Sequence, residues 1–133
     1  MSVAASAKPP VNADADKVVV LNTNDMPWES TEQVGVYQKT LERVIDRRKG
    51  RETAIVRMAP GSSLPAETLD ERLDVFILAG GFADSRGSYG QYTFVRRQPG
   101  ESFSAKSTEG CTMYIKRRVP IHAEEKEGMV IDA

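Results

Sequence analysis

Turn chemistry recurs along this chain so often that most segments between turns are the length of a strand. Pro60-Gly61, Gly80-Gly81, Asp84-Ser85-Arg86-Gly87 and Pro99-Gly100 each interrupt it, and each is a combination that closes a tight turn. Between them lie runs rich in β-branched and aromatic residues. Residues 52–58 (ETAIVRM) and 91–95 (QYTFV) read as strands, and 111–116 alternates apolar Cys111, Met113 and Ile115 with Thr112, Tyr114 and Lys116. Val119-Pro120-Ile121-His122 is one more short candidate. The β-branched run Val18-Val19-Val20-Leu21, stopped by Asn22-Thr23-Asn24-Asp25, reads as a buried strand ending in a turn. Two segments are ambiguous. Residues 34–47 carry apolar groups at helical spacing yet are rich enough in β-branched residues for a strand, and 64–79 opens like a helix but ends in the apolar run Val75-Phe76-Ile77-Leu78. The balance predicts an all-β sandwich or barrel.

At 133 residues the chain fits one domain with a real core. Residues 1–17, rich in Ala, Ser, Pro and Asp, read as a flexible arm that cannot repay its ordering entropy, which leaves 18–133 as the folded domain. The net charge of -1 gives no reason to expect nucleic acid or an anionic membrane as partner. The short basic clusters at Arg47, Arg48, Lys49 and Arg51, and at Lys116, Arg117 and Arg118, sit beside carboxylates and read as solvated faces. A single cysteine, Cys111, excludes an internal disulfide and any zinc site built on paired cysteines. Sparse cysteine, no secretory-signal pattern and no apolar stretch long enough to span a bilayer point to the cytoplasm.

Several short segments, in order, carry a resemblance. They are Gly35-Val36, Glu52-Thr53, Ala59-Pro60-Gly61, Leu64-Pro65-Ala66-Glu67-Thr68-Leu69, Phe76-Ile77-Leu78-Ala79-Gly80, Asp84 to Tyr89, Thr93-Phe94-Val95-Arg96, Pro99-Gly100 and Glu109-Gly110-Cys111. Together they resemble the cupins of the anti-sigma factor ChrR family. The resemblance implies a single-domain jelly-roll barrel (a double-stranded β-helix) and favours strands in both ambiguous segments. It also implies a divalent metal held by histidines and a glutamate, whose positions correspond here to Glu67, Leu69, Leu73 and Phe103. Leucine and phenylalanine offer no lone pair to an ion, and the chain's one histidine, His122, lies outside the matched stretch. No metal and no other cofactor is therefore expected.

Among the remaining candidates, Glu67 stands out. Facing into the barrel among apolar neighbours it would serve as an acid or base; paired with an arginine such as Arg57 or Arg96 it would be structural. Arg57, Thr93 and Cys111 are the other residues expected near a pocket with Glu67, Leu69, Leu73 and Phe103. Cys111, without a histidine nearby in sequence, reads as a buried structural thiol. The carboxylates Glu67, Asp70, Glu71 and Asp74 match no EF-hand spacing. The expected function is a metal-free module that binds a small apolar organic molecule or serves a structural role, as a homodimer. The alternatives are a metal-independent enzyme using Glu67 and a regulatory protein-interaction module.

Overall fold

The chain reverses direction where glycine permits it. In the computed structural model, which describes residues 8–45 and 50–119, Gly61, Gly80 and Gly100 all take positive φ, a region that costs other residues a clash with their own Cβ. Gly80 is doubly constrained, because a Cβ there would collide with the carbonyl oxygen of Gly110.

Between the turns run β1 (Glu29–Ser30), β2 (Val36–Ile45), β3 (Gly50–Met58), β4 (Ser63–Thr68), β5 (Leu73–Gly80), β6 (Phe82–Asp84), β7 (Gly87–Tyr89), β8 (Phe94–Arg97), β9 (Ser102–Lys106) and β10 (Cys111–Val119). They form two antiparallel sheets, ordered β1-β2-β3-β10-β5-β8 and β4-β9-β6-β7. The all-β jelly-roll expectation is met, and both ambiguous segments are strand rather than helix where described. Among the described residues no helix is long and apolar enough to cross a membrane.

Alternation along the strands builds the core. Cross-strand rows of the larger sheet, such as Thr40, Ala54, Ile115, Val75 and Val95, aim inward together. Leu69 between β4 and β5, Phe82 on β6 and Phe103 on β9 close the core from the other side. Phe82 and Phe103 meet edge to face with centroids 6.1 Å apart, a favoured aromatic geometry.

Three sequence expectations change. Residues 18–21 are neither strand nor buried: Val18 and Val20 are 92% and 89% exposed. A β-branched run favours extended backbone, but burial requires a partner face that this chain does not bring to it. Residues 91–93 are not strand; the N–H of Thr93 turns back to the Gly90 carbonyl and Tyr92 takes a φ of 69°, so β8 begins only at Phe94. Within the expected arm, Val11 exchanges both backbone hydrogen bonds with Arg43, and the Asn12 amide donates to the Leu41 carbonyl. That stretch is tied to the free edge of β2. Arg47, Arg48, Lys49, residues 1–7 and all of the short candidate strand Val119-Pro120-Ile121-His122 beyond Val119 lie outside the described residues.

The β6–β7 hairpin is pinned by a charged network. Asp84, with a side chain only 6% exposed, accepts from the Arg97 guanidinium at 2.9 Å, the Tyr89 hydroxyl at 3.1 Å and the backbone N–H groups of Arg86 and Gly87. Burial pushes its carboxyl up, but the Arg86 N–H, the Arg97 and Tyr89 hydrogen bonds and the Arg97 charge outweigh that and hold it below the ordinary 3.8.

Two predictions follow from this packing. Phe103→Ala removes a ring that is 2% exposed and should cost about 3–5 kcal/mol in urea unfolding; an unchanged midpoint would refute the core assignment. Asp84→Asn strands a buried guanidinium and should cost about 3–5 kcal/mol near neutral pH. Because the Asp84 carboxyl is depressed in the folded state, its contribution is complete above the ordinary carboxylate value and fades as pH falls through the lowered one. The gap between wild type and Asp84→Asn should therefore close in acid, and a gap independent of pH would refute the ionic account.

Candidate functional site

One end of the barrel interior is not filled. A cavity of about 410 Å³ opens between the sheets, with Val36, Ala54, Val56, Leu64, Leu73 and Ile115 in its apolar wall. The inward rows explain its shape. The floor carries aliphatic side chains, and toward the open end an inward row carries Arg43, Glu52 and Arg117 on three adjacent strands.

These charges differ in how well they are satisfied. Arg43, 5% exposed, grips Glu52 at 2.6 Å and also donates to Thr40 Oγ1 and the Pro9 carbonyl. Arg117, with a side chain 29% exposed, has only a loose contact of 3.7 Å with Glu67. Glu67 reaches the same space because a register shift between Leu64 and Glu67 in β4 keeps both inward. Gln38 completes the polar set, its amide donating to Thr40 Oγ1 at 3.0 Å. The cavity thus combines an apolar inner wall with a strongly polar rim, to which Lys8, Glu32, Asp70, Glu71 and Arg118 also contribute, an arrangement that can fix the orientation of a small molecule.

The residues singled out from sequence divide around this cavity. Glu67, Leu69 and Leu73 line it. Phe103 stands directly opposite Glu67 in the β4–β9 register and joins Leu69 and Leu73 in the buried core, but packs on Phe82 rather than lining the cavity. Arg57 is on the other side of the sheet, over the rings of Trp28 and Tyr37. Thr93 lies in the turn before β8, where its carbonyl accepts from the Ile77 N–H, and does not reach the cavity. Cys111 sits in the core opposite Met58 and Gly80, away from the cavity lining. Burial, with the Glu109 charge adding, pushes its thiol up to about 11, so at neutral pH it is a protonated structural group. The arginine that meets Glu67 is Arg117, not Arg57 or Arg96; Arg96 forms a fork on Asp74 at the outer face. Asp74 is thereby separated from Glu67, Asp70 and Glu71, which line the cavity.

Arg117, Gln38 and the Arg43–Glu52 pair were missed from sequence. The signal was present as parity: Glu52 and Arg117 share the face of Ala54 and Ile115. Arg43 does so only because the register shifts between Thr40 and Glu42, an irregularity that simple alternation does not show.

Residues 16–119 match the family of ChrR cupin-like domains. The chain belongs to this family. None of the curated protein sequences matches it. Among solved structures, this cupin is similar to ChrR of Rhodobacter sphaeroides, an anti-sigma factor seen in complex with SigE, with a TM-score of 0.58 and 15% identity over 74% of this chain and 51% of that one. The chain thus spans about half the length of ChrR. It is also similar to an RmlC-like cupin of Shewanella frigidimarina (TM-score 0.64, 9% identity, 78% and 93% covered) and to the polyketide cyclase RemF of Streptomyces resistomycificus (0.65, 12%, 84% and 92%). At these identities the likeness is one of fold.

The metal implied by the family resemblance does not fit this cupin's donors. Leu69, Leu73 and Phe103 are buried hydrocarbon, and Glu67 alone supplies oxygen. Among the described residues no three of His, Cys, Asp and Glu are grouped to hold an ion. Elemental analysis after mild chelation should find no stoichiometric iron, manganese, nickel or zinc. About one metal per chain would overturn the donor argument. A quadruple variant (Glu67→His, Leu69→His, Leu73→Glu, Phe103→His) should be less stable than wild type without metal and regain stability when zinc is added.

Proposed function

We propose that this cupin works without a resident metal as a binding module for a small, mostly apolar organic molecule. The observation that carries the reading is the 410 Å³ cavity, which stands beside two of the positions where the family resemblance implies metal ligands. Where a metal centre would need lone pairs, Leu69 and Leu73 present hydrocarbon. An apolar ligand entering there exchanges its hydration for contact with these walls. The polar end of such a molecule would meet Arg117, Glu67 and Gln38 at the mouth. Arg43 and Glu52, locked to each other, hold the shape of that end.

A second reading is favoured by one feature. Glu67 and Arg117 face the same cavity and bind each other only loosely, so both are available to a substrate, with Glu67 as acid or base and Arg117 as its charge partner. A binding module and a metal-independent enzyme share the cavity and differ in whether the ligand is changed.

The test uses 1-anilinonaphthalene-8-sulfonate, an apolar ring system with one anionic end, as probe. Wild-type protein should bind it saturably. Ala54→Phe, which fills the wall, should abolish binding while urea unfolding stays cooperative. Compounds retained through purification and identified by mass spectrometry should compete with the probe. Probe binding untouched by Ala54→Phe would reject the cavity as the site. For the enzyme reading, Glu67→Gln should leave ligand affinity within about tenfold yet stop turnover of the retained compound.

A further inference from the structure

We infer that the outer face of the larger sheet is covered by a second copy of this chain, whose residues 18–21 lie across it. Two features lead to this, neither of them partnered among the described residues and neither in the cavity lining.

The first is a row on the outer surface. Ile55, Tyr114, Phe76 and Phe94 stand side by side on β3, β10, β5 and β8. Tyr92 stacks on Phe76 with ring centroids 6.5 Å apart. Tyr92, Phe94 and Tyr114 are 70%, 55% and 37% exposed. The sequence of β5 agrees: Val75-Phe76-Ile77-Leu78 is apolar at successive positions, the pattern of a strand covered on both faces rather than one.

The second is the run Val18-Val19-Val20-Leu21. Its exposure alternates, at 92%, 46%, 89% and 44%, as in an extended strand with one side half covered and the other open. None of its four residues makes a backbone hydrogen bond to a described residue. Unpaired extended backbone with β-branched side chains is a template for association. The family match begins at residue 16, so the run belongs to the domain.

The two features share a face. The Thr23 carbonyl, two residues after the run, accepts from Lys39 Nζ at 2.6 Å, and Lys39 is the neighbour of Ile55 at the end of the aromatic row. Each chain therefore carries both a donor run and an acceptor row near one another, as a two-fold interface requires. At 150–250 Å² per aromatic side chain, the exposed fractions of the three rings amount to roughly 250–400 Å². The run adds a comparable area, and the sum approaches the roughly 800 Å² that each partner gives to a stable interface.

Sedimentation of the full chain at micromolar concentration should show a dimer. Val20→Asp and Phe94→Asp, both at sites exposed in the single chain, should each weaken it about 30-fold or more while circular dichroism and cooperative urea unfolding are retained. Mixing a Val20→Cys chain with a Phe94→Cys chain under oxidation should give a disulfide-linked pair. A monomeric wild type would overturn the inference, as it would if a different protein covers the face. So would a dimer indifferent to both aspartates, or a Val20→Cys, Phe94→Cys double variant that closes its disulfide within one chain.

Discussion

Apolar contact between two twisted sheets holds this barrel shut, and the rest of the molecule is arranged around that contact. Leu73, Val75 and Ile77 on β5 face Phe82 and Phe103 across the interior, and all are essentially removed from water. Burying each such side chain stabilises by about 1.5–3 kcal/mol, and no described ionic group need be neutralised to do it. A metal-binding barrel spends the same interior positions on groups that require an ion for satisfaction. In this chain Leu69, Leu73 and Phe103 convert those positions to packing, so the interior needs no ion to be satisfied. The inner wall of the cavity is hydrocarbon for the same reason, while its mouth is polar.

Buried charge is answered within the fold. Arg43 and Glu52 satisfy each other at the cavity's edge, and Asp84, Arg97 and Tyr89 tie the smaller sheet's hairpin to β8. Such pairs contribute little net stability over hydrocarbon, because desolvation offsets attraction. Their cost when broken is large. The Nε of Arg97 is buried without a partner, so that guanidinium depends on Asp84 for its compensation. Arg117 and Glu67 are the exception, loosely matched and partly wet. They are the groups a ligand can recruit without breaking the fold.

Strand content and turns were legible in the sequence because they depend on local chemistry. Pro60-Gly61, the Asp84–Gly87 turn and the alternation from Cys111 to Lys116 all appear where their residue types place them. The position of Leu69, Leu73 and Phe103 in one core was legible only through the family resemblance, since they lie on different elements far apart in the chain. What failed was the facing of side chains and the burial of runs. Arg57 points outward and Arg117 inward, a distinction of parity that requires knowing where the strand's apolar face lies. In β2 the parity itself changes at the register shift after Thr40. The valine run failed for a different reason: its composition suits a covered strand, and no described segment supplies the cover.

That last failure bears on how the strands were composed. In a sheet with one wet face, sequence alternates between apolar and polar, and β3 does so in part, with Arg51, Thr53 and Arg57 outward against Ala54, Val56 and Met58 inward. The segment from Thr23 to Trp28 covers that part, with Trp28 lying under both Lys39 and Arg57. Moving across the sheet to β10 and β5, the outward positions include Tyr114, Phe76 and Leu78; Tyr92 lies on Phe76, while Tyr114 and Leu78 stay exposed among the described residues. Hydration of such a contiguous patch is unfavourable in proportion to its area, and that cost is the physical ground for the proposed second copy. The same chain carries four apolar residues in extended form with their backbone unpaired. The physical economy of the fold is thus complete inside the barrel and incomplete on one outer face, and the missing cover has the chemistry of the run that the chain itself leaves in water.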